Sequence, residues 1–415
     1  MGSLGDLYPY LAIGRELKAR GHKPIIGTYG HFHQKVAAAG LGFQAIRPDP
    51  AEFRVQHELT KRASNPRNGT EYLIRKMFLS NLRDSYQDLS QAVKGVDLLL
   101  TNPLTYAGPL VAQKSGVKWV SSVVQPMTFY SAYDPPVLSS APVLTKLRHL
   151  GPGVYSALFR LVRWRAQSLA MPITRLRGEI GLLPSKAHPM FEGQFSPAMT
   201  LALFSKMFAA PQPDWPPNTV VTGFPFYDQG SAEIQVLSYL KSFIKDGEPP
   251  IIFCLGSSEY DNARDFFRHS LDAVRQLRKR AVFVLGNHPQ SMLPRPYPEG
   301  VVAFNYIPFS QLFCHASAIV HHGGIGTIAS ALRAGRQMLI VPFTHDMPDN
   351  AERAWRLGVA EIIPRSRYNA HNVVEALQLL LRNNSYAAKA VELSRTMQAE
   401  DGIKTACDAL ESCLN

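Results

Sequence analysis

Short apolar runs bounded by polar or glycine-containing turns recur along the chain. They alternate with stretches whose apolar residues return every three to four positions. Residues 316 to 320 and 338 to 341 are two such runs, as expected of parallel strands covered on both faces. In the first half the pattern predicts a helix over 8–20, a strand over 23–28 and a helix over 31–39. Strands follow over 42–46, 96–100 and 117–124, the last as one strand or two. The second half repeats the scheme with a strand over 251–255, a helix over 263–278, strands over 281–285 and 301–304, and then the two runs already named. This alternation predicts an α/β chain of two Rossmann-like halves facing across a cleft, with ligands at the carboxyl ends of the strands. Residues 209 to 218 hold four prolines, and 228 to 250 are polar and turn-rich at both ends. The boundary is therefore expected near 230, giving domains 1–230 and 231–415. By analogy with two-lobed enzymes, the last helical stretch, 385 to 413, is expected to cross back to the first domain.

A chain of 415 residues exceeds one ordinary core, which agrees with two domains. No apolar run reaches the ~18 residues of a bilayer span, and no apolar signal segment follows Met1, so a cytoplasmic location is expected. Cys254, Cys314, Cys407 and Cys413 lack metal-ligand spacing and read as thiols, buried rather than paired. The formal net charge of +12 suits nucleic acid, an anionic membrane or a phosphate-bearing substrate, but nothing resembles a nucleic-acid motif. Basic residues gather in 146–177, at Lys146, Arg148, Arg160, Arg163, Arg165, Arg175 and Arg177, around Trp164 and a helically spaced Tyr155, Leu158, Phe159 and Val162. The segment reads as a core-packed helix with a solvated basic face, with weak membrane-surface association as its alternative.

The chemistry concentrates in Val320-His321-His322-Gly323-Gly324-Ile325-Gly326-Thr327 and in Val341 to Asn350. Without a Cβ, Gly323, Gly324 and Gly326 let backbone N–H groups approach an anion, and a helix opening near Thr327 adds its partial positive end. His322 and the Thr327 hydroxyl add donors. Asp346, Asp349 and Asn350, behind Pro342, supply a polar loop at the end of the next strand.

With these blocks the chain resembles the GT-B glycosyltransferases of family 1, the UDP-glycosyltransferase superfamily, and in particular bacterial small-molecule members such as flavonoid and lipid rhamnosyltransferases. Five blocks carry the likeness in order: Gly2-Ser3-Leu4-Gly5-Asp6, Gln125 to Pro136, Gly256-Ser257-Ser258, His321 to Thr327, and Asp346 to Asn350. The resemblance implies that His321, His322, Gly323, Gly324, Gly326 and Thr327, with Gly256, Ser257 and Ser258, face the donor diphosphate. It implies that Tyr306 and Ile307 hold the base, and that Asp346, Met347 and Asn350 lie at the sugar. Glucosyl-transferring relatives often carry Gln where Met347 stands, and the loss of that amide points to a 6-deoxy sugar such as rhamnose on dTDP or UDP. Asp6 takes the position of the base that accepts the acceptor hydroxyl's proton in inverting transfer, with helix N-capping as its structural alternative. An ordinary carboxyl near ~3.9 is a weak base, so partial burial should raise it. His22, His31 and His33 are nearby supports or substitutes, His22 more plausibly structural. Gln125, Met127, Phe129 and Tyr130 are the acceptor-side candidates, for a flavonoid-like or lipid-like hydroxyl compound. No metal or resident cofactor is implied, the nucleotide sugar being a co-substrate. Relatives place an apolar strand before the first loop, which here begins at residue 2, so the first strand of the first domain is expected to be missing. A lipid glycosyltransferase at the membrane surface and a non-catalytic nucleotide-sugar-binding helper are the alternative readings.

Overall fold

The computed structural model describes residues 4–49, 62–63, 65–228, 234–256, 263–286, 288 and 290–414. They form two compact units, Met1–Tyr227 with Glu400–Asn415, and Asp228–Ala399.

The first unit runs α1 (Leu4–Ala19), β1 (Ile25–Thr28), α2 (His33–Ala38), β2 (Gly42–Ala45), α3 (Gly69–Leu73), α4 (Leu82–Ala92), β3 (Leu98–Thr101), α5 (Gly108–Ser115), β4 (Lys118–Val123), α6 (Pro152–Glu179), β5 (Thr200–Ala202) and β6 (Thr219–Val221). Residues 117 to 124 thus give one strand. All pairings are parallel, but β1 and β2 form a sheet of their own, apart from the sheet β3-β4-β5-β6. The strands at the division are only partly covered: Leu98, Leu99 and Leu100 are half-buried, and Ile25 is exposed. Helix α4 shows why its segment is helical, since Leu82, Ser85 and Leu89 return at three- and four-residue steps and are the residues it buries. Helix α6 starts after Gly151 with Pro152 in its first turn, where a missing N–H costs nothing.

The second unit runs α7 (Ile234–Lys245), β7 (Ile251–Cys254), α8 (Ala263–Leu277), β8 (Ala281–Val284), β9 (Val301–Phe304), α9 (Phe309–Leu312), β10 (Ala318–His321), α10 (Ile325–Arg333), β11 (Met338–Ile340), α11 (Met347–Arg356), β12 (Ala360–Ile362), α12 (Ala370–Arg382) and α13 (Asn384–Ala399). Its strands make one parallel sheet, β12-β11-β10-β7-β8-β9. Strands β7, β8, β10 and β11 are buried at every residue, as continuous apolar runs in a doubly covered sheet must be.

Crossing back begins only at Glu400, because α13 stays with the second unit. The final helix, α14 (Gly402–Leu414), joins the first unit, where Ala406, Cys407 and Leu410 pack with Ile13, Val120 and Leu201. Arg20 meets Asp408 at 2.6 Å and Glu411 at 2.8 Å, and His22 Nε2 lies 2.9 Å from Glu411, which gives His22 its structural role. Among the described residues the four cysteines are free. Cys254 and Cys407 are buried, whereas Cys314 is exposed and Cys413 is half-buried.

Candidate active site

In the second sheet the chain moves one way through β7, β8 and β9 and the other way through β10, β11 and β12, so the turns leaving β7 and β10 diverge and open a crevice at their carboxyl ends. Across that edge stand Asp346 after β11, His322 to Gly324 after β10, Gly256 after β7, His288 after β8 and Tyr306 after β9. Most of the donor-side residues named from sequence therefore come to one sheet edge within one unit. Ser257 and Ser258 lie outside the described residues.

The turns are interlocked. Gly256 has φ +70°, and a Cβ there would lie 2.7 Å from His322 Cε1. A Cβ on Gly324 would lie 2.5 Å from His322 Nε2. The ring occupies the space both glycines leave, so a side chain at Gly324 would have to displace His322, and at Gly256 the positive φ disfavours one as well. Gly323 N donates to His321 Nδ1 at 3.0 Å, which places the proton of neutral His321 on Nε2. Gly324 precedes the first turn of α10, which begins at Ile325 and whose N-terminal end favours an anion. Asn350, fully buried, donates through Nδ2 to Gly323 O at 3.1 Å and to Asp346 Oδ2 at 2.6 Å, tying the glycine turn to the acidic loop. One turn from Asp346, Asp349 is spent on a buried ion pair, Arg353 Nε to Asp349 Oδ2 at 2.8 Å.

Burial lowers both histidines, His322 to about 4 and His321 well below its ordinary value, with the neighbouring His322 adding to the effect on His321. Both are neutral at pH 7, so an anion placed at His322 would meet an N–H donor and not a full positive charge. The unfolded chain titrates near ~6.5 and takes up these protons first as pH falls. The stabilisation is therefore full above the unfolded value, and for His322 it is lost progressively towards the folded value near 4. Unfolding of the second unit should become easier by about 2 kcal/mol between pH 7 and pH 5, at about 1.4 kcal/mol per unit for His322 alone. Denaturant titrations at the two pH values check this, and His322→Gln should flatten the slope; a slope identical to wild type in that variant would refute it.

Met347 corrects the sequence argument. It is 7% exposed and belongs to the core cluster of Val320, Leu339, Val341 and Phe343, so its thioether fills the core and does not stand open beside a sugar. Tyr306 is half exposed while the Ile307 side chain is buried. Two histidines escaped the sequence reading. His345, between Thr344 and Asp346, adopts φ 56°, a left-handed conformation a side chain adopts only under local constraint, and burial lowers its pKa. His288, 6% exposed, packs edge-on against Phe267. Neither position follows a spacing rule, because strand order brings them to the site.

In the first unit Asp6 is partly buried inside the first turn of α1, beyond the N-cap position considered for it. Its charge reaches Tyr10, whose pKa is raised mainly by burial, then by Asp6. Tyr10 Oη lies 2.9 Å from Ser122 Oγ, which itself donates to Thr101 O at 2.9 Å. The sequence named His31 but not its partner: Nδ1 lies 2.8 Å from Asp49 Oδ1, and the His31 N–H donates to Asp49 Oδ2 at 3.1 Å. Phe129 is corrected as an acceptor contact. Phe129 is 6% exposed and stacks on Trp215 at 4.3 Å. Tyr130, partly buried, lies edge-on to both Phe159 and Phe191, while Phe129 holds the core. Gln125 and Met127 are half-buried beside them. A groove of about 510 Å³ lies elsewhere in this unit, lined by Tyr106, Leu110, Arg163, Trp164, Ile173 and His188 among others. Among the described residues no three His, Cys, Asp or Glu side chains cluster to hold a metal ion.

A glycine turn and helix start at the switch point of a parallel sheet, linked through an amide to an acidic loop, define a nucleotide-binding α/β protein. Residues 1–127 match the glycosyltransferase family 28 N-terminal domain, and 268–410 match the erythromycin biosynthesis protein CIII-like C-terminal domain. The chain is 30% identical to the O-mycaminosyltylonolide 6-deoxyallosyltransferase of Streptomyces fradiae, covering 99% of this chain and 95% of that one. It is 25% identical to the sterol 3-beta-glucosyltransferase UGT80B1 of Arabidopsis thaliana, covering 99% of this chain and 66% of that one. The solved structures of the calicheamicin glycosyltransferase CalG4 (TM-score 0.72, 19% identity, 98% and 94% of the two chains) and of the glycosyltransferase VinC in complex with dTDP (0.68, 18%, 98% and 96%) share its fold. The chain belongs to the GT-B glycosyltransferases of families 1 and 28, in the EryCIII-like group of bacterial antibiotic glycosyltransferases. It is a nucleotide-sugar glycosyltransferase acting on small molecules, and the helper reading falls away.

Proposed function

We propose that this enzyme moves a 6-deoxyhexose, such as rhamnose, from a dTDP- or UDP-sugar to a hydroxyl of an apolar small molecule, with inversion and without a metal. The observation that carries the reading is the interlocked His322 turn, whose backbone and ring donors suit a diphosphate at the start of α10. The acceptor oxygen attacks the anomeric carbon, the bond to the diphosphate oxygen breaks, the nucleoside diphosphate leaves with the bonding pair, and the acceptor proton passes to the Asp6 carboxylate. Helix-end dipole and neutral N–H donors offset the leaving charge, which removes the need for a cation. Support for the deoxy sugar is the 6-deoxyallosyl transfer named for the Streptomyces fradiae relative; Met347 no longer supports it. Bound dTDP in VinC supports a thymidine donor.

A second reading, a hydroxylated lipid as acceptor, is favoured by the sterol glucosyltransferase that matches along 99% of the chain. The groove in the first unit has the volume of a drug-sized ligand site and suits either acceptor.

The test is a transfer assay read by mass spectrometry, pairing a flavonol, a sterol and a hydroxy-fatty acid with dTDP-rhamnose and UDP-glucose. The expected product is heavier by one deoxyhexose. Equal or faster turnover with UDP-glucose would overturn the sugar assignment, and product on the sterol or fatty acid alone would establish the second reading.

A further inference from the structure

We propose that the outward face of α6, continued by the 3-10 segment Pro142–Leu150, docks the protein on an anionic lipid surface. The inference rests on no assignment of donor or acceptor.

Helix α6 buries Tyr155, Phe159, Ala170, Ile173 and Leu176 on one side. On the opposite side it exposes Val154 (38%), Leu161 (51%), Trp164 (74%) and Met171 (54%). Exposed Arg160, Arg165 and Arg175 lie among them. The preceding segment packs against α6 and adds exposed Val143 and Leu150 beside Lys146. From residue 135 through 178 the chain contains no aspartate or glutamate, against seven lysines and arginines.

Single exposed apolar residues are ordinary, but an apolar ridge on one helix face, rimmed by cations on a segment without acids until Glu179, is the pattern of a helix lying in a lipid interface. Each part has a place there. The arginines meet anionic headgroups, and the Trp164 indole sits at headgroup level with Leu161 and Met171 below it. The same composition argues against other occupants. A second copy seated on this face would set the arginines of one segment against those of the other, with no acid within 135–178 to receive them. Nucleic acid would meet the arginines but gain nothing from Leu161, Met171 and Val154. No helix among the described residues is long and apolar enough to span a membrane, so the contact is peripheral.

The experiment is co-sedimentation of the whole protein with vesicles of phosphatidylcholine containing 30% phosphatidylglycerol, and with pure phosphatidylcholine, in low and high salt. Two double variants are compared, Arg160→Glu with Arg165→Glu and Leu161→Glu with Met171→Glu. These side chains are exposed and line neither the groove nor the nucleotide site, so folding should survive, which thermal melts verify. Binding is expected on anionic vesicles only, weakened by salt, and reduced at least about tenfold in each variant. The proposal is overturned if wild type ignores anionic vesicles, if it binds pure phosphatidylcholine equally, or if both folded variants sediment like wild type. It is equally overturned if the wild type instead forms a dimer in solution that the Leu161 and Met171 changes abolish, or binds duplex DNA in preference to vesicles.

Discussion

Asp6→Asn and Asp6→Ala are each expected to lower transfer by about 10²–10⁴-fold, the usual contribution of a positioned general base, while affinity for the nucleoside diphosphate should stay within about twofold of wild type. The separation follows from where the residues lie. Asp6 belongs to the first unit, and every described residue assigned to the nucleotide belongs to the second. Asn keeps the shape and most hydrogen bonds of Asp and loses only the capacity to take a proton, so a purely structural Asp6 would leave Asp6→Asn active. His31 provides the internal comparison. With Nδ1 donated to Asp49 it leaves Nε2 as a proton acceptor, a base of the same form as a His-Asp dyad. His31→Gln is expected to cost less than about tenfold. The reverse ranking, in steady-state assays with saturating donor, would move the base to His31 and reduce Asp6 to a support.

Gly324→Ala is expected to weaken nucleoside diphosphate binding by about 30- to 150-fold. At φ −62° the backbone accepts alanine, so the effect comes from the methyl group alone, which would lie 2.5 Å from His322 Nε2. Either the ring swings away and its N–H no longer faces the ligand, or the turn opens and the α10 N-terminus moves. Loss of one charge-assisted bond with the displacement of its neighbours is worth about 2–3 kcal/mol, which is the predicted factor. Titration calorimetry with dTDP and UDP measures it. In the double variant Gly324→Ala with His322→Ala the methyl has room, and the turn should recover. Calorimetry should then show the affinity of His322→Ala alone; unchanged binding by Gly324→Ala would show that the ring position is irrelevant.

Much of the local structure of the candidate donor site was legible in the sequence. Gly323, Gly324 and Gly326 before a helical pattern, with an acidic loop after the next apolar run, describe a turn whose components are close in sequence and whose geometry follows from local chemistry. The β7, β8, β10 and β11 runs were legible for the same reason: they are apolar without alternation, which only a doubly covered sheet tolerates. Strands β5, β6 and β12 went unread.

Side-chain direction was the point at which sequence failed. Met347 stands next to Asp346, which the resemblance puts at the sugar, yet it belongs to the core cluster that also holds Leu339 and Phe343. Phe129 and Tyr130 follow β4 in the chain, yet close on Trp215, Phe159 and Phe191. Adjacency along the chain does not say which face of a turn a residue presents.

Composition and periodicity alone therefore account for the α/β class, the duplicated Rossmann-like pattern, the glycine turn and the basic helix, because each depends on residues within one or two turns of one another. Packing across the chain is what joined Asn350 to Gly323, set Asp49 against His31, returned α14 to the first unit and aimed Trp164 at solvent. Those outcomes depend on strand order and on which apolar surface finds its complement, and residues far apart in sequence carry no local signal of either.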